Sequence, residues 1–228
     1  MLGQDVNIAG SRLVARASGA LWWPDHSLLC VSDLHLGKSE RIARRGSTLL
    51  PPYETTETLS RLGDEINALQ PDRVVCLGDS FDDDACVAAL AEPDLDFLSG
   101  LMRGRDWIWV TGNHDPGAVA PGGRCVDALL LEGLVFRHEA AESDGLGEIS
   151  GHFHPKIRIR AKGMTISRRC FVVDAVRMML PAFGAYTGGL RCDDPQIDRL
   201  FGADAQAILA GAPCVAIPLR NRSLAVAR

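Results

Sequence analysis

The sequence has no apolar run approaching the roughly 18 residues that a membrane-spanning helix requires. Its first residues, MLGQDVNIAGSRL, carry neither the basic start nor the apolar stretch of a secretory signal. The expectation is a cytosolic protein with no membrane partner. CxxC pairs are also absent. Seven cysteines (Cys30, Cys76, Cys86, Cys125, Cys170, Cys192 and Cys214) are scattered and odd in number, which argues against a disulfide framework and a thiolate zinc site. Cys30 and Cys76 lie inside apolar runs and read as small buried hydrophobes. No repeat, low-complexity tract or Pro/Ser-rich linker divides the chain. Its 228 residues, 46% hydrophobic and 23% charged, are expected to form one globular domain over 1–228.

An overall basic excess is missing too. The net charge of -5 disfavours an indiscriminate polyanion binder, yet the charge is uneven. Lys38, Arg41, Arg44 and Arg45 outweigh Glu40 to give +3 over 38–45. Lys156, Arg158, Arg160, Lys162, Arg168 and Arg169 give +6 over 156–169. Two readings stay open: a solvated helix and a solvated strand face, or two contacts for an extended anionic substrate.

Short β-branched apolar runs recur at Leu28–Val31, Val74–Leu77, Trp107–Val110, Leu134–Phe136 and Phe171–Val173, each the length of a buried strand. Between the first two, Pro51-Pro52 opens a helix whose apolar face is Leu59, Leu62, Ile66 and Leu69, and Pro71 stops it. Asp84–Leu90 and Asp94–Met102 read as further short helices. Lys156–Arg160 alternates like a half-exposed strand, with Ile157 and Ile159 on one face. The tail suggests a helix near Ala203–Ala210, then a hairpin of 214–219 and 223–227 around Arg220-Asn221-Arg222. Gly-rich segments at 115–124 and 139–147 read as surface loops. Strands alternating with helices early, then strands from about 129, fit two sheets covered by helices.

The polar residues that follow these runs carry the chemistry. Asp33 and His35 follow LLCVS; Asp79 follows VVCLG; Asn113, His114 and Asp115 follow WIWVTG. His138 follows LVFR, and His152 and His154 follow EISG. Five of the six histidines stand at strand ends, His26 being the exception, and loops converge there on one crevice. The D-x-H spacing sets Asp33 and His35 on one side of an extended segment. Gly78, Gly112 and Gly151 each precede a candidate ligand and allow close backbone approach. Their order points to a metal site of His, Asp and Asn donors, suited to Mn²⁺, Fe²⁺, Ni²⁺ or Zn²⁺.

DLH at 33–35, GDSFD at 78–82, GNHD at 112–115, His138 and GHFH at 151–154 resemble the calcineurin-like metallophosphoesterases. The resemblance implies an α/β fold, a four-layer α/β/β/α sandwich with two mixed sheets and a dinuclear centre at their edges. It implies that Asp33, His35 and His154 hold one ion, that Asn113, His138 and His152 hold the other, and that Asp79 bridges them. His114 matches the catalytic histidine and Asp82 the carboxylate that orients it. DLHLGK, LPPYET, GDSFDD, FRHE, GHFHPK, RRCFVVD and LPAFGAYTGG further resemble the ligase-associated DNA damage response endonucleases of PdeM type, over about 31–190. One departure is Asp83, where such proteins often carry a histidine. That likeness implies Mn²⁺, DNA as substrate, and association with a DNA ligase, a helicase and an exonuclease.

Two cations roughly 3.5–4 Å apart neutralise a phosphoester and acidify a water for attack on phosphorus. His114 would protonate the leaving alkoxide or stabilise phosphoryl charge. Lys38, Arg137 and Lys156 are candidate phosphate contacts, although Arg137 could instead pair with an acid near Glu139. Asp115 is either a partner of the ligands or a turn-former before Pro116-Gly117. GNHD rather than GNHE, and Asp83 where phosphoprotein phosphatases place arginine, weaken a phosphoprotein reading. A phosphodiesterase or nuclease is the first reading. A small-molecule phosphatase or pyrophosphatase is the second, and a non-catalytic scaffold the third. Of the tryptophans, Trp107 and Trp109 read as packing residues and Trp22-Trp23 as facing opposite sides of a strand. Tyr186 is the better base-stacking candidate, with a packed turn residue as its alternative.

Overall fold

The computed structural model describes residues 3–46, 51–115, 120–141, 145–161 and 163–219. The expected strand at 223–227 with its Arg220-Asn221-Arg222 turn, Lys162, Pro116-Gly117 and part of the 139–147 loop lie outside those residues. One sheet follows chain order: β1 (Gly3–Ile8), β2 (Ser11–Arg16), β3 (Leu21–Trp23), β4 (Leu28–Ser32), β5 (Arg73–Leu77), β6 (Asp106–Val110) and β7 (Arg124–Val126). β1 to β4 pair antiparallel, β4 to β7 parallel. The connections of the parallel part carry α1 (Lys38–Arg44), α2 (Glu54–Leu69), α3 (Cys86–Ala89) and α4 (Glu92–Met102).

The other sheet is built from β8 (Ala128–Leu131), β9 (Leu134–Arg137), β10 (Gly147–Ser150), β12 (Met164–Val173), β13 (Arg177–Met179), β14 (Gln206–Leu209) and β15 (Ala216–Pro218). Their spatial order is β15-β14-β12-β13-β10-β9-β8, and β11 (Lys156–Ala161) pairs with the outer half of β12. β9, β10 and β13 are parallel neighbours and the rest antiparallel, so this sheet is mixed as well.

Strand period explains the layers. In β4, Leu28 and Cys30 point inward with Val75, Leu77, Ile108 and Val110 to meet Leu134, Phe136, Ile149, Phe171 and Met178 between the sheets. Leu29 and Val31 point outward with Val74, Cys76, Trp107 and Trp109, against Leu59, Leu62 and Ile66 of α2 and Leu98 of α4. Each of those α2 side chains, fully covered, contributes about 1.5–3 kcal/mol. Cys30 and Cys76 are buried, as expected, and burial raises both thiol pKa values. The helix begins at Glu54, after Pro51-Pro52-Tyr53, and ends where Gln70 turns left-handed (φ 48°) ahead of Pro71.

Three expectations change. The helix read over 84–90 is the single turn α3, with Cys86 as its buried residue. The helix read near 203–210 is strand β14: Ala207 and Ile208 face opposite cores and need both buried, so pairing with β12 and β15 overrides the helix preference of an Ala-rich segment. The fourth layer, over the outer face of β12 and β13, holds one helical turn, α5 (Pro195–Asp198), capped by Asp194. Ile197 of α5, Ile157 of β11, and Phe153, Cys192 and Phe201 from irregular chain cover that face.

Candidate metal centre at the sheet edges

The ends of β4, β5 and β6 stand side by side in parallel register, with Ser32 opposite Leu77 and Leu77 opposite Val110. Asp33 and His35, Asp79, and Asn113 and His114 leave these ends. From the other sheet the parallel pair β9 and β10 delivers His138, then His152 and His154. Main-chain bonds tie the ligand loops together: Asp33 N–H donates to the Gly78 carbonyl (3.2 Å), His35 N–H to that of Asp79 (2.9 Å), and Gly151 N–H to that of His138 (2.8 Å).

The backbone here is unusual. Asp33, His35, Asp79, His152 and His154 all have φ between 45° and 69° and, among the described residues, make up five of the ten non-glycine positions with positive φ. That conformation is rare for residues with a Cβ and collects at functional sites. Space is equally tight: a Cβ on Gly78 would lie 2.2 Å from the His138 ring, and one on Gly112 2.2 Å from the Asp79 amide.

All seven sequence-derived ligand candidates meet here. Donor atoms of Asp33, His35 and His154 lie within 4.8 Å of one another, as do those of Asp79, His138 and His152. Asp33 Oδ1 is 3.2 Å from His154 Nε2 and 3.7 Å from His138 Nδ1, which links the two groups. His138 Nε2 lies 2.9 Å from Asn113 Oδ1 and 3.4 Å from Asp79 Oδ2. Two nitrogen pairs test the fit to cations directly. His35 Nε2 faces His154 Nε2 at 3.4 Å, and His152 Nδ1 faces His138 Nε2 at 3.1 Å. Converging imidazole lone pairs repel unless a proton or cation lies between them, and carboxylates stand beside both pairs. Asp33, His35 and Asp79 are 0–3% exposed, so their charges need close partners. The donor set therefore fits two borderline divalent cations.

Electrostatics follow from burial. For Asp79, desolvation pushes the carboxyl pKa up, but His138, the His114 amide and His35 outweigh it and hold the pKa well below the usual range. For His138, burial works downward, and Asp79 and Asp33 raise the imidazole to about 9. His152 is lowered by burial and by the charge of His138.

His114 sits beside these groups. Its amide donates to Asp79 Oδ1 (2.8 Å), and its ring Nδ1 is 3.2 Å from the main-chain carbonyl of Asp82. The expected orienting contact from the Asp82 carboxylate differs from the one observed. That carboxylate is fully buried, with Oδ1 2.9 Å from His35 Nδ1 and 3.8 Å from Lys38 Nζ, and Arg41 Nε on Oδ2. α1 places Lys38 and Arg41 at its back, and the carboxylate turns toward His35 while staying within 4.8 Å of a His114 ring nitrogen; its carbonyl is the group at hydrogen-bond distance from that ring. Burial raises the Asp82 carboxyl pKa, but His35, Lys38 and Arg41 leave it below its ordinary value.

The remaining candidates have internal partners. Arg137 Nε is 3.4 Å from Glu148 Oε2 on the neighbouring strand β10. Lys156 Nζ donates to the Thr187 carbonyl at 3.1 Å. Asp115 accepts from the amides of Ser80 (2.7 Å), Phe81 (3.1 Å) and Gly112 (3.0 Å), bracing the Asp79 and Asn113 loops against each other. Burial, with Asp79 nearby, raises its pKa despite those three donors. Trp22 is half-buried and Trp23 buried, while Tyr186 is 46% exposed in a turn where its φ is 55°. Sequence reasoning missed the Arg41–Asp82 contact and the Glu148 tie to Arg137 and Arg177.

Two sheets joined at a common rim by histidines and carboxylates define a metallophosphoesterase, and the comparisons agree. The calcineurin-like phosphoesterase family matches residues 26–165, more than half of the chain, and the protein belongs to that family. It is a metal-dependent phosphoesterase. Among solved structures it is similar to the Pseudomonas putida nuclease MPE, with 26% identity, a TM-score of 0.76, and coverage of 94% of this chain and all of that one. No curated protein matches.

Proposed function

We propose that this phosphoesterase is a phosphodiesterase that cuts nucleic acid, a Mn²⁺-dependent DNA endonuclease of the cytosol that serves DNA repair. The observation that carries the reading is the convergence of two sets of donors on one crevice with imidazole nitrogens 3.1 and 3.4 Å apart. Likeness along almost the whole chain to a protein described as a nuclease supports a diester substrate. Association with a DNA ligase, helicase and exonuclease belongs to the same reading and rests on the sequence resemblance.

Asp33, His35 and His154 would hold one cation; Asn113, His138 and His152 would hold the other, with Asp79 shared. When bound, two such cations neutralise phosphoryl oxygens and lower the pKa of water. The rest falls to the chain. Asp82 keeps the His35 ring turned through its Nδ1, and Asp115 fixes the spacing of the Asp79 and Asn113 loops. With His114 Nδ1–H directed at the Asp82 carbonyl, Nε2 is the nitrogen left to face the leaving oxygen, and the doubly protonated ring would deliver its Nε2 proton there and remain as the neutral Nδ1–H imidazole.

The test is turnover of bis- against mono-nitrophenyl phosphate, followed by nicking of supercoiled plasmid with Mn²⁺. Preference for the diester and nicking of the plasmid are expected. Preference for the monoester with an intact plasmid would replace this reading with a small-molecule phosphatase.

A further inference from the structure

β11 and β12 leave the sheet together as an antiparallel ribbon that starts at Lys156, two residues beyond His154. Residues directly opposite in such a pair share a face. The register Lys156↔Arg169, Arg158↔Ser167 and Arg160↔Thr165 therefore gathers four cations and two hydroxyls on one side, without a carboxylate. The other face carries Ile157, fully buried, with Ile159 and Ile166, and one exposed cation, Arg168. Arg158 and Arg160 are exposed.

At the base of the ribbon Arg61 of α2 joins this face. Arg61 and Arg169 both donate to the Phe183 carbonyl, Arg169 also donates to that of Ala182 (2.8 Å), and Lys156 reaches Thr187. The loop they grip borders the metal centre: Phe183 N–H donates to Ser32 (2.7 Å), Gly184 N–H to Asp33 (3.1 Å), and Gly189 lies against the His154 carbonyl. Among the described residues, acids stand at its margins. Glu57 lies 4.0 Å from Arg61, and Asp193, paired with Arg191 at 2.8 Å, borders the depression beside Arg158 together with Asp194. Burial and the neighbouring charge of Arg61 lower Arg169 to about 10. Gathering like charges this way is costly without an incoming anion. Alternate residues of a strand stand about 6.7 Å apart, on the order of the separation of neighbouring phosphates in an extended polynucleotide.

We propose that this face is a track for the phosphates that flank the scissile one, with the polynucleotide passing from His154 over Arg61, Arg169 and Lys156 to Arg158 and Arg160. The proposal rests on the nuclease reading and adds the path of the substrate. The test compares wild type with Arg158→Gln/Arg160→Gln and with Arg158→Lys/Arg160→Lys, all Mn²⁺-loaded. kcat/KM is read on bis-nitrophenyl phosphate and on short and long DNA and RNA oligonucleotides. In wild type, kcat/KM should rise with oligonucleotide length. In the Gln pair the long-oligonucleotide to small-diester ratio should fall on the order of tenfold, and the salt slope should shrink by about 1.4, or ~0.7 per lost contact. The Lys pair should recover most of both. An unchanged ratio and slope, or equal loss on both substrates, overturns the track but leaves the nuclease reading standing. A wild-type enzyme active on the small diester and on no oligonucleotide overturns both.

Discussion

Metal-free protein should lose stability as pH rises from 6 to 9.5, because His138 is held protonated between Asp79 and Asp33. Its side chain is 7% exposed, and its pKa stands at about 9 against an ordinary 6.5. A base raised on folding contributes in full below its unfolded pKa, near 6.5, and the contribution disappears as pH passes the folded value, near 9. About 2.5 pKa units correspond to about 3 kcal/mol at most. Asp79 acts in the opposite sense: its lowered pKa stabilises above the ordinary carboxyl range and fails only in strong acid. Cations compete with the proton on His138, so metal-derived stabilisation should instead grow with pH. Urea unfolding at pH 6, 7.5 and 9.5, with chelator and with excess Mn²⁺, measures both slopes. Arg169, lowered to about 10, sets the upper limit of the range. A chelated protein losing less than about 1 kcal/mol over this interval, or losing as much after His138→Gln, would refute the reasoning.

His114→Ala should leave metal content intact and lower kcat by about 10²–10⁴, the span of a single acid or base; metal analysis beside steady-state kinetics separates the two. Asp115→Ala strands the buried amides of Ser80 and Phe81, each worth about 1–3 kcal/mol when unpaired, and the part-buried amide of Gly112. It should lower the urea midpoint and weaken the ion bound near Asp79, and an unchanged midpoint would contradict the bracing role. Gly112→Ala drives a methyl into the Asp79 backbone at 2.2 Å and should reduce metal affinity more than global stability, as chelator titration and thermal melts would show.

The strands that carry the centre were legible because each is a short apolar run closed by a polar or glycine-led turn. The seven ligand candidates were legible because each follows such a run. Helix α2 announced itself through Pro51-Pro52 and the spacing of Leu59, Leu62 and Ile66. By contrast, Gln206–Leu209 is buried on both faces, and that destroys the alternation that separates strand from helix. The direction of the Asp82 carboxylate was hidden for another reason. The likeness of GDSFD to the family motif pairs it with His114, but its partners Lys38 and Arg41 come from a helix some forty residues away. Glu148 was unreadable likewise, since its link to Arg137 exists only through the parallel pairing of β9 and β10.

Metal stoichiometry tests the central claim most directly. Elemental analysis of wild type, Asp33→Ala and His138→Ala after loading with Mn²⁺ should give two ions per chain for wild type and fewer in each variant. A wild-type chain that saturates with none or one, or variants that keep both, would contradict a centre built where the two sheets meet.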